Sequence, residues 1–157
     1  MRVTRVAYAV EGWGVGELWL AGDRVVELTH PRPVASDLDH KPGCELADRL
    51  GRYFARERDS FADVELDLED ETPLGQRLAA ALREVPYGET VTYGELAALA
   101  GSPGAARAAG SFCARNRFAI VVPCHRVVGS TSLGGYGSLG LAYKQRLLSL
   151  ETRDPLG

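Results

Sequence analysis

The sequence predicts an α+β protein with a small N-terminal α+β domain, residues 1–71, followed by a mainly helical domain, residues 72–157, that carries a helix-turn-helix. Three observations predict it. Short β-type runs precede His30, helical periodicity takes over after Thr72, and the acidic, turn-like stretch Asp67-Leu68-Glu69-Asp70-Glu71-Thr72-Pro73 separates them. A chain of 157 residues fits one ordinary domain or two small ones, and 45% hydrophobic with 25% charged residues is enough to bury a core without forcing oligomerisation. A monomer is expected.

In the first domain, Val3 to Val10, Gly16 to Leu20 and Arg24 to Leu28 read as strands, with Ala21-Gly22-Asp23 as a hairpin connection. A small antiparallel sheet follows. Cys44 to Arg56 places Leu46, Ala47, Leu50, Tyr53 and Phe54 at helical spacing. His30 to Gly43, with prolines at 31, 33 and 42, reads as a loop. Trp13, Trp19, Tyr8 and Tyr53 are assigned to the core of this domain.

In the second domain, Thr72 caps a helix with Pro73 at its first position, which runs through Leu82 and ends before Pro86-Tyr87-Gly88. Thr92 caps a second helix, Tyr93 to Ala100, and Gly101-Ser102-Pro103-Gly104 turns into a third, Ala105 to Arg115. Two short helices joined by a glycine-containing turn make the helix-turn-helix candidate. Its second helix carries Arg107 and Arg115, and Ala105, Ala106, Ala108, Ala109, Gly110 and Ser111 are small enough to let its backbone approach a DNA groove. Charge points the same way. Residues 1–71 hold nine basic and sixteen acidic residues, residues 72–157 nine basic and five acidic, so a half of net charge −7 precedes a half of +4.

The composition excludes several classes. No stretch reaches the length of a membrane span, so no membrane partner is expected. The N-terminus MRVTRVAYAVEGWG has charges and glycines where a secretory signal needs an apolar run. Cys44, Cys113 and Cys124 form neither a disulfide framework nor a paired CxxC site, which points to a reducing, cytoplasmic setting. Cys44, His30 and His40 lack metal-ligand spacing, so no metal and no other cofactor is predicted.

The chemistry centres on Pro123-Cys124-His125-Arg126-Val127, which follows the apolar run Phe118-Ala119-Ile120-Val121-Val122, read as a buried strand. A free thiol is only a few per cent ionised at neutral pH, so a nucleophilic cysteine needs a base or a positive field. His125 is placed to supply the base and Arg126 the field, and the thiol is expected to ionise below its ordinary value of about 8.5. Taken alone, the pair also fits a packing cysteine beside a chance histidine.

The segment from Pro86 to Glu151 resembles the O6-alkylguanine-DNA alkyltransferases, also called methylated-DNA–protein-cysteine methyltransferases. The resemblance rests on Pro86-Tyr87-Gly88-Glu89-Thr90-Val91-Thr92-Tyr93-Gly94-Glu95-Leu96-Ala97, Ala105-Ala106-Arg107-Ala108, Asn116 and Val122-Pro123-Cys124-His125-Arg126-Val127-Val128. It continues through Gly134-Gly135-Tyr136, Gly140-Leu141-Ala142, Lys144, Leu147-Leu148 and Glu151. It implies a ribonuclease H-like N-terminal domain and a winged-helix-like C-terminal one. It implies that Cys124 accepts the alkyl group from O6-alkylguanine, and from O4-alkylthymine, in duplex DNA and keeps it as a thioether, so that each molecule acts once. His125 matches the base, acting through a water, and Glu151 the carboxylate that orients it. Asn116 matches a residue holding the turn before the thiol. Tyr93 matches the residue that assists rotation of the nucleotide and donates to guanine N3, and Arg107 the arginine that enters from the minor groove to fill the vacated stack.

Tyr136, flanked by Gly135 and Gly137, matches one wall of the guanine pocket, and the Val127 carbonyl matches an acceptor for the exocyclic amine. The stretch Gly134 to Gly140 is one residue longer than the family pattern, which bears on pocket width. Cys113 reads as a packing residue. The rival readings are a lesion sensor or helix-turn-helix regulator of the same fold, which has no use for Cys124, and a cysteine hydrolase, which has no use for the Arg107 helix.

Overall fold

The computed structural model describes residues 2–33 and 44–152. They form two compact units, one reaching to Asp67 and including Arg117–Ala119, the other comprising Leu68–Asn116 and the residues from Ile120 on. No helix among the described residues is long and apolar enough to cross a membrane.

In the first unit, β1 (Val3–Val10), β2 (Gly14–Ala21) and β3 (Arg24–Leu28) form an antiparallel sheet with β2 in the centre. The Gly22-Asp23 connection works because Gly22 sits at φ +64, where a side chain would be strained. Register follows from packing. Tyr8 faces Gly16, and a Cβ at Gly16 would lie 2.4 Å from the Tyr8 ring, so only glycine lets the buried tyrosine lie across β2 and donate to the Thr29 carbonyl. The helix α1 (Glu45–Phe54) buries Ala47, Leu50, Tyr53 and Phe54, and Trp13 packs on Phe54 at 4.9 Å between ring centroids. Tyr8, Trp13 and Tyr53 are thus core residues, while Trp19 is half-buried beneath Arg5. Most of the predicted loop from His30 to Gly43, and His40 with it, lies outside the described residues.

The apolar run Phe118–Val122 is buried as expected, but it is not a strand. Phe118 forms a single bridge to Leu28, and Ile120 then takes a left-handed φ of +68, which breaks any extended ladder. The chain turns sharply here because it passes from one unit to the other, a requirement that a run of buried apolar residues does not reveal.

The second unit starts with α2 (Pro73–Arg83), whose Thr72 cap accepts from the Gly75 amide. Thr92 and Glu95 form a reciprocal capping box at the start of α3 (Tyr93–Leu99). The helix pair is completed by α4 (Ala106–Ala114). Three elements were not foreseen. Val91–Thr92 (β4) pairs in parallel with Val127–Val128 (β5), and α5 (Gly140–Thr152) closes the unit. The β4–β5 pair sets the site: Tyr93 follows one strand directly and Cys124-His125-Arg126 precedes the other.

Candidate active site

Cys124-His125-Arg126 forms one turn of 3-10 helix leading into β5, so the thiol is presented by a turn and not by a strand end. All three side chains are buried. Asn116, just beyond α4, donates from Nδ2 to the Val122 carbonyl at 2.9 Å and also hydrogen-bonds the Cys124 sulfur. It therefore fixes both the turn and the thiol that follows it.

Behind the thiol lies a buried charge cluster. The Glu151 carboxylate, on α5, stands 2.6 Å from His125 Nε2 and accepts from Arg126 through two parallel bonds, Nε and Nη2, each 2.9 Å. The Gly88 amide adds a fourth bond at 3.1 Å. Burial works against ionising Glu151, but the bonds from His125 and Arg126 outweigh it and hold the carboxyl far below its ordinary range. An ionised carboxylate only accepts, so Nε2 of His125 carries the proton and Nδ1 the lone pair. Burial also pushes the His125 pKa down, in spite of Glu151, which keeps the imidazole neutral and able to take a proton.

Arg126, expected to supply a field at the thiol, is committed elsewhere. Besides Glu151 it donates from Nη1 to the Val85 carbonyl at 2.8 Å and lies over the Tyr87 ring. The cation acting on Cys124 is Lys144, which is fully buried on α5 with Nζ donating to the carbonyls of Val127 and Gly135 and lying 5.8 Å from the Tyr93 ring centroid. The expectation of a thiol that ionises readily is corrected as well. Burial raises the Cys124 pKa well above its ordinary value, the adjacent Cys113 raises it further, and Lys144 and Asn116 only partly offset them. The resting thiol is protonated, so it becomes a nucleophile only by giving up that proton.

The thiol opens on a cavity of about 290 Å³ lined by Tyr93, Gly110, Cys113, Ala114, Gly135, Tyr136 and Gly137. That is near the lower end of small-molecule sites, on the order of 300–1,000 Å³. Its walls are an aromatic ring from α3, the small-residue face of α4 and the glycine-rich loop before α5. Chemically, it holds a buried sulfur and a half-buried phenol, and the residue next to that sulfur in the chain is the neutral His125 backed by Glu151.

The family model described as "6-O-methylguanine DNA methyltransferase, DNA binding domain" matches residues 73–153, which contain the cavity, the thiol and Glu151. The chain belongs to this methyltransferase family. The methylated-DNA–protein-cysteine methyltransferase of Mycobacterium leprae is 50% identical over 90% of this chain and 90% of its own length. That of Mycolicibacterium paratuberculosis is 52% identical over 68% of this chain and 63% of its own. The crystal structure of Mycobacterium tuberculosis OGT in complex with DNA superposes with a TM-score of 0.78 at 39% identity, covering 94% of this chain and 92% of that one.

Within this methyltransferase fold the expected site residues fall into two groups. Cys124, His125, Glu151, Asn116, Tyr93, Gly135, Tyr136 and Gly137 gather around the cavity and the charge cluster behind it. Val127 is buried, and its carbonyl already accepts from Lys144, leaving one lone pair. Arg107 and Arg115 are exposed at the two ends of α4 and Ala106 is half-buried, all outside the cavity lining. Arg107 stands three residues before Gly110 and seven before Ala114, the spacing of one helix face. Arg126 was assigned to the thiol, Cys113 to packing, and Lys144 was given no role of its own, whereas the structure sets Arg126 on Glu151 and Lys144 and Cys113 beside Cys124. The available signal for Lys144 was its spacing, three residues before Leu147 and seven before Glu151.

Gly134 supports the cavity wall. It sits at φ +79, and a Cβ there would come within 2.7 Å of the Tyr93 hydroxyl oxygen. Gly134→Ala is expected to cost about 1–2 kcal/mol of stability through the left-handed backbone and to displace Tyr93. Urea unfolding together with the single-turnover rate of alkyl transfer checks this, with the rate falling more than stability alone explains.

Proposed function

We propose that this chain repairs DNA by moving the alkyl group of O6-alkylguanine irreversibly to its own Cys124. One observation carries the reading: the buried thiol lines a base-sized cavity and is followed immediately by a neutral histidine hydrogen-bonded to an ionised carboxylate. In the reaction the Cys124 proton passes to His125, through a water, while the sulfur lone pair forms the S–C bond. The C–O6 bond breaks and its electron pair stays on guanine. Glu151 balances the imidazolium that forms, and Arg126 holds Glu151 in place. The Gly135 amide hydrogen-bonds the Tyr93 hydroxyl, which leaves that O–H free to donate to guanine N3.

A target atom inside a duplex is out of reach, so the nucleotide must be extruded into the cavity. In this reading α4 lies in the minor groove, Ala106 approaches the backbone, Arg107 fills the gap in the stack and Arg115 meets phosphate. The same reading extends to O4-alkylthymine. It assigns residues 1–71 to a ribonuclease H-like domain and 72–157 to a winged-helix-like one, and has the protein act as a monomer in a reducing, intracellular setting where Cys124 stays a thiol.

A thioether has no good leaving group, so each chain acts once. Incubating the protein with excess duplex carrying radiolabelled O6-methylguanine is expected to label one methyl per chain and then stop. Continued release of label, with protein turning over, would overturn the proposal.

A further inference from the structure

Two sulfurs meet in the cavity. Cys113 on α4 and Cys124 both line it, their side chains are hydrogen-bonded neighbours, and both act on the same three groups, Tyr93, Tyr136 and Lys144. Both are free thiols, eleven residues apart on different elements, so tertiary packing and not local sequence brings them together. Alkyl transfer uses one sulfur and has no step for the other. The two also differ in access: Cys124 is 4% exposed, while Cys113 is half-buried. When one of two touching thiols is oxidised, the other can capture it before further oxidation.

We propose that Cys113 and Cys124 form a reversible dithiol–disulfide couple that responds to hydroperoxides. In the first step the sulfur of Cys113, the more accessible, attacks hydrogen peroxide. An S–O bond forms, the O–O bond breaks, and the products are a sulfenic acid and water. In the second step the Cys124 sulfur attacks the Cys113 sulfur, an S–S bond forms, and the sulfenic oxygen leaves as water with the Cys124 proton. Two thiols and one peroxide thus give one disulfide and two waters. The acceptor sulfur cannot take an alkyl group in that state, and a thiol reductant returns it. Without Cys124 to capture it, the Cys113 sulfenic acid would proceed to the sulfinic acid, which thiols do not reverse.

The test uses the full chain with Cys44→Ala, so that Cys113 and Cys124 are its only thiols. After mild hydrogen peroxide treatment the intact mass should fall by two hydrogens, a Cys113–Cys124 linked peptide should appear, and alkyl acceptance should be lost. Dithiothreitol should restore mass and acceptance together. In Cys113→Ala, and in Cys113→Ser as a second variant, the same treatment should leave the mass and that variant's own alkyl acceptance unchanged, because the sulfur that meets peroxide first is gone. Absence of the two-hydrogen loss in the parent, or a peroxide-induced loss of acceptance in the Cys113 variants equal to the parent's, would overturn the proposal. The inference rests on the proposed acceptor role only for its activity arm. The linked peptide is read by mass whether or not Cys124 accepts an alkyl group, so the two readings fail separately.

Discussion

Glu151→Gln destabilises the protein by about 3–5 kcal/mol, the cost of stranding one partner of a buried ion pair, and slows alkyl transfer by roughly 10²–10⁴-fold, the usual worth of a positioned acid–base pair. Glu151 has a fully buried side chain, and its four bonds tie α5 to the turn carrying Cys124, to Gly88 and to Arg126. The amide cannot neutralise Arg126, whose own side chain is only 6% exposed. It also fails to balance the imidazolium proposed to form on His125. Acid titration separates the two roles. Because the folded carboxyl ionises below its ordinary value of 4.5, its contribution is present above that pH and drains away as the pH falls further. The wild type should therefore lose stability steeply below about pH 4.5, and Glu151→Gln should show a flatter acid limb. His125 adds the same sign at higher pH: its pKa is depressed by burial, so the stability it contributes starts to fall as the pH drops through its ordinary 6.5. Urea midpoints between pH 3 and 8 read both.

Lys144→Met has the second large effect, on rate more than on stability. The ammonium is fully buried and joins the Val127 carbonyl, just past the thiol turn, to the Gly135 carbonyl of the cavity wall. Removing it leaves one buried acceptor, the Val127 carbonyl, without this donor, at about 1–3 kcal/mol, and the part-buried Gly135 carbonyl at less, while relief from burying a cation offsets part of that. The geometry between Cys124, Tyr93 and the glycine loop is expected to loosen, and a displacement near 1 Å costs about 10²-fold in rate. The cation also lowers the Cys124 pKa. The pH profile of thiol alkylation should therefore shift upward in Lys144→Met, whereas a purely structural role would leave it in place.

What could be read from the sequence was what local chemistry determines. The caps at Thr72 and Thr92, Pro73 at a first helical position and the turn at Gly22 act within a few residues, and each lies where the sequence placed it. Helix α5 escaped because its inner face carries Lys144 and Glu151 beside Leu147 and Leu150, so the usual apolar stripe is absent. The charges that hide the helix are the ones that build the site. Phe118 to Val122 looked like a strand because uniform burial carries no period, and the left-handed Ile120 leaves no mark in residue type. Cys124 and His125 announce themselves by adjacency. Glu151 and Asn116 had no spacing argument of their own and were found only through the family resemblance. Arg126 was assigned to the thiol because sequence proximity suggested it, whereas its bidentate geometry suits a carboxylate better than a sulfur.

Cys124 as a consumed acceptor is tested by weighing the intact protein after incubation with duplex DNA containing O6-methylguanine, and then sequencing the modified peptide. The expected result is a gain of one methyl group on Cys124, absent in Cys124→Ala, which still binds the duplex. An unchanged mass in the wild type, or a methyl group on any other residue, would rule out Cys124 as the acceptor.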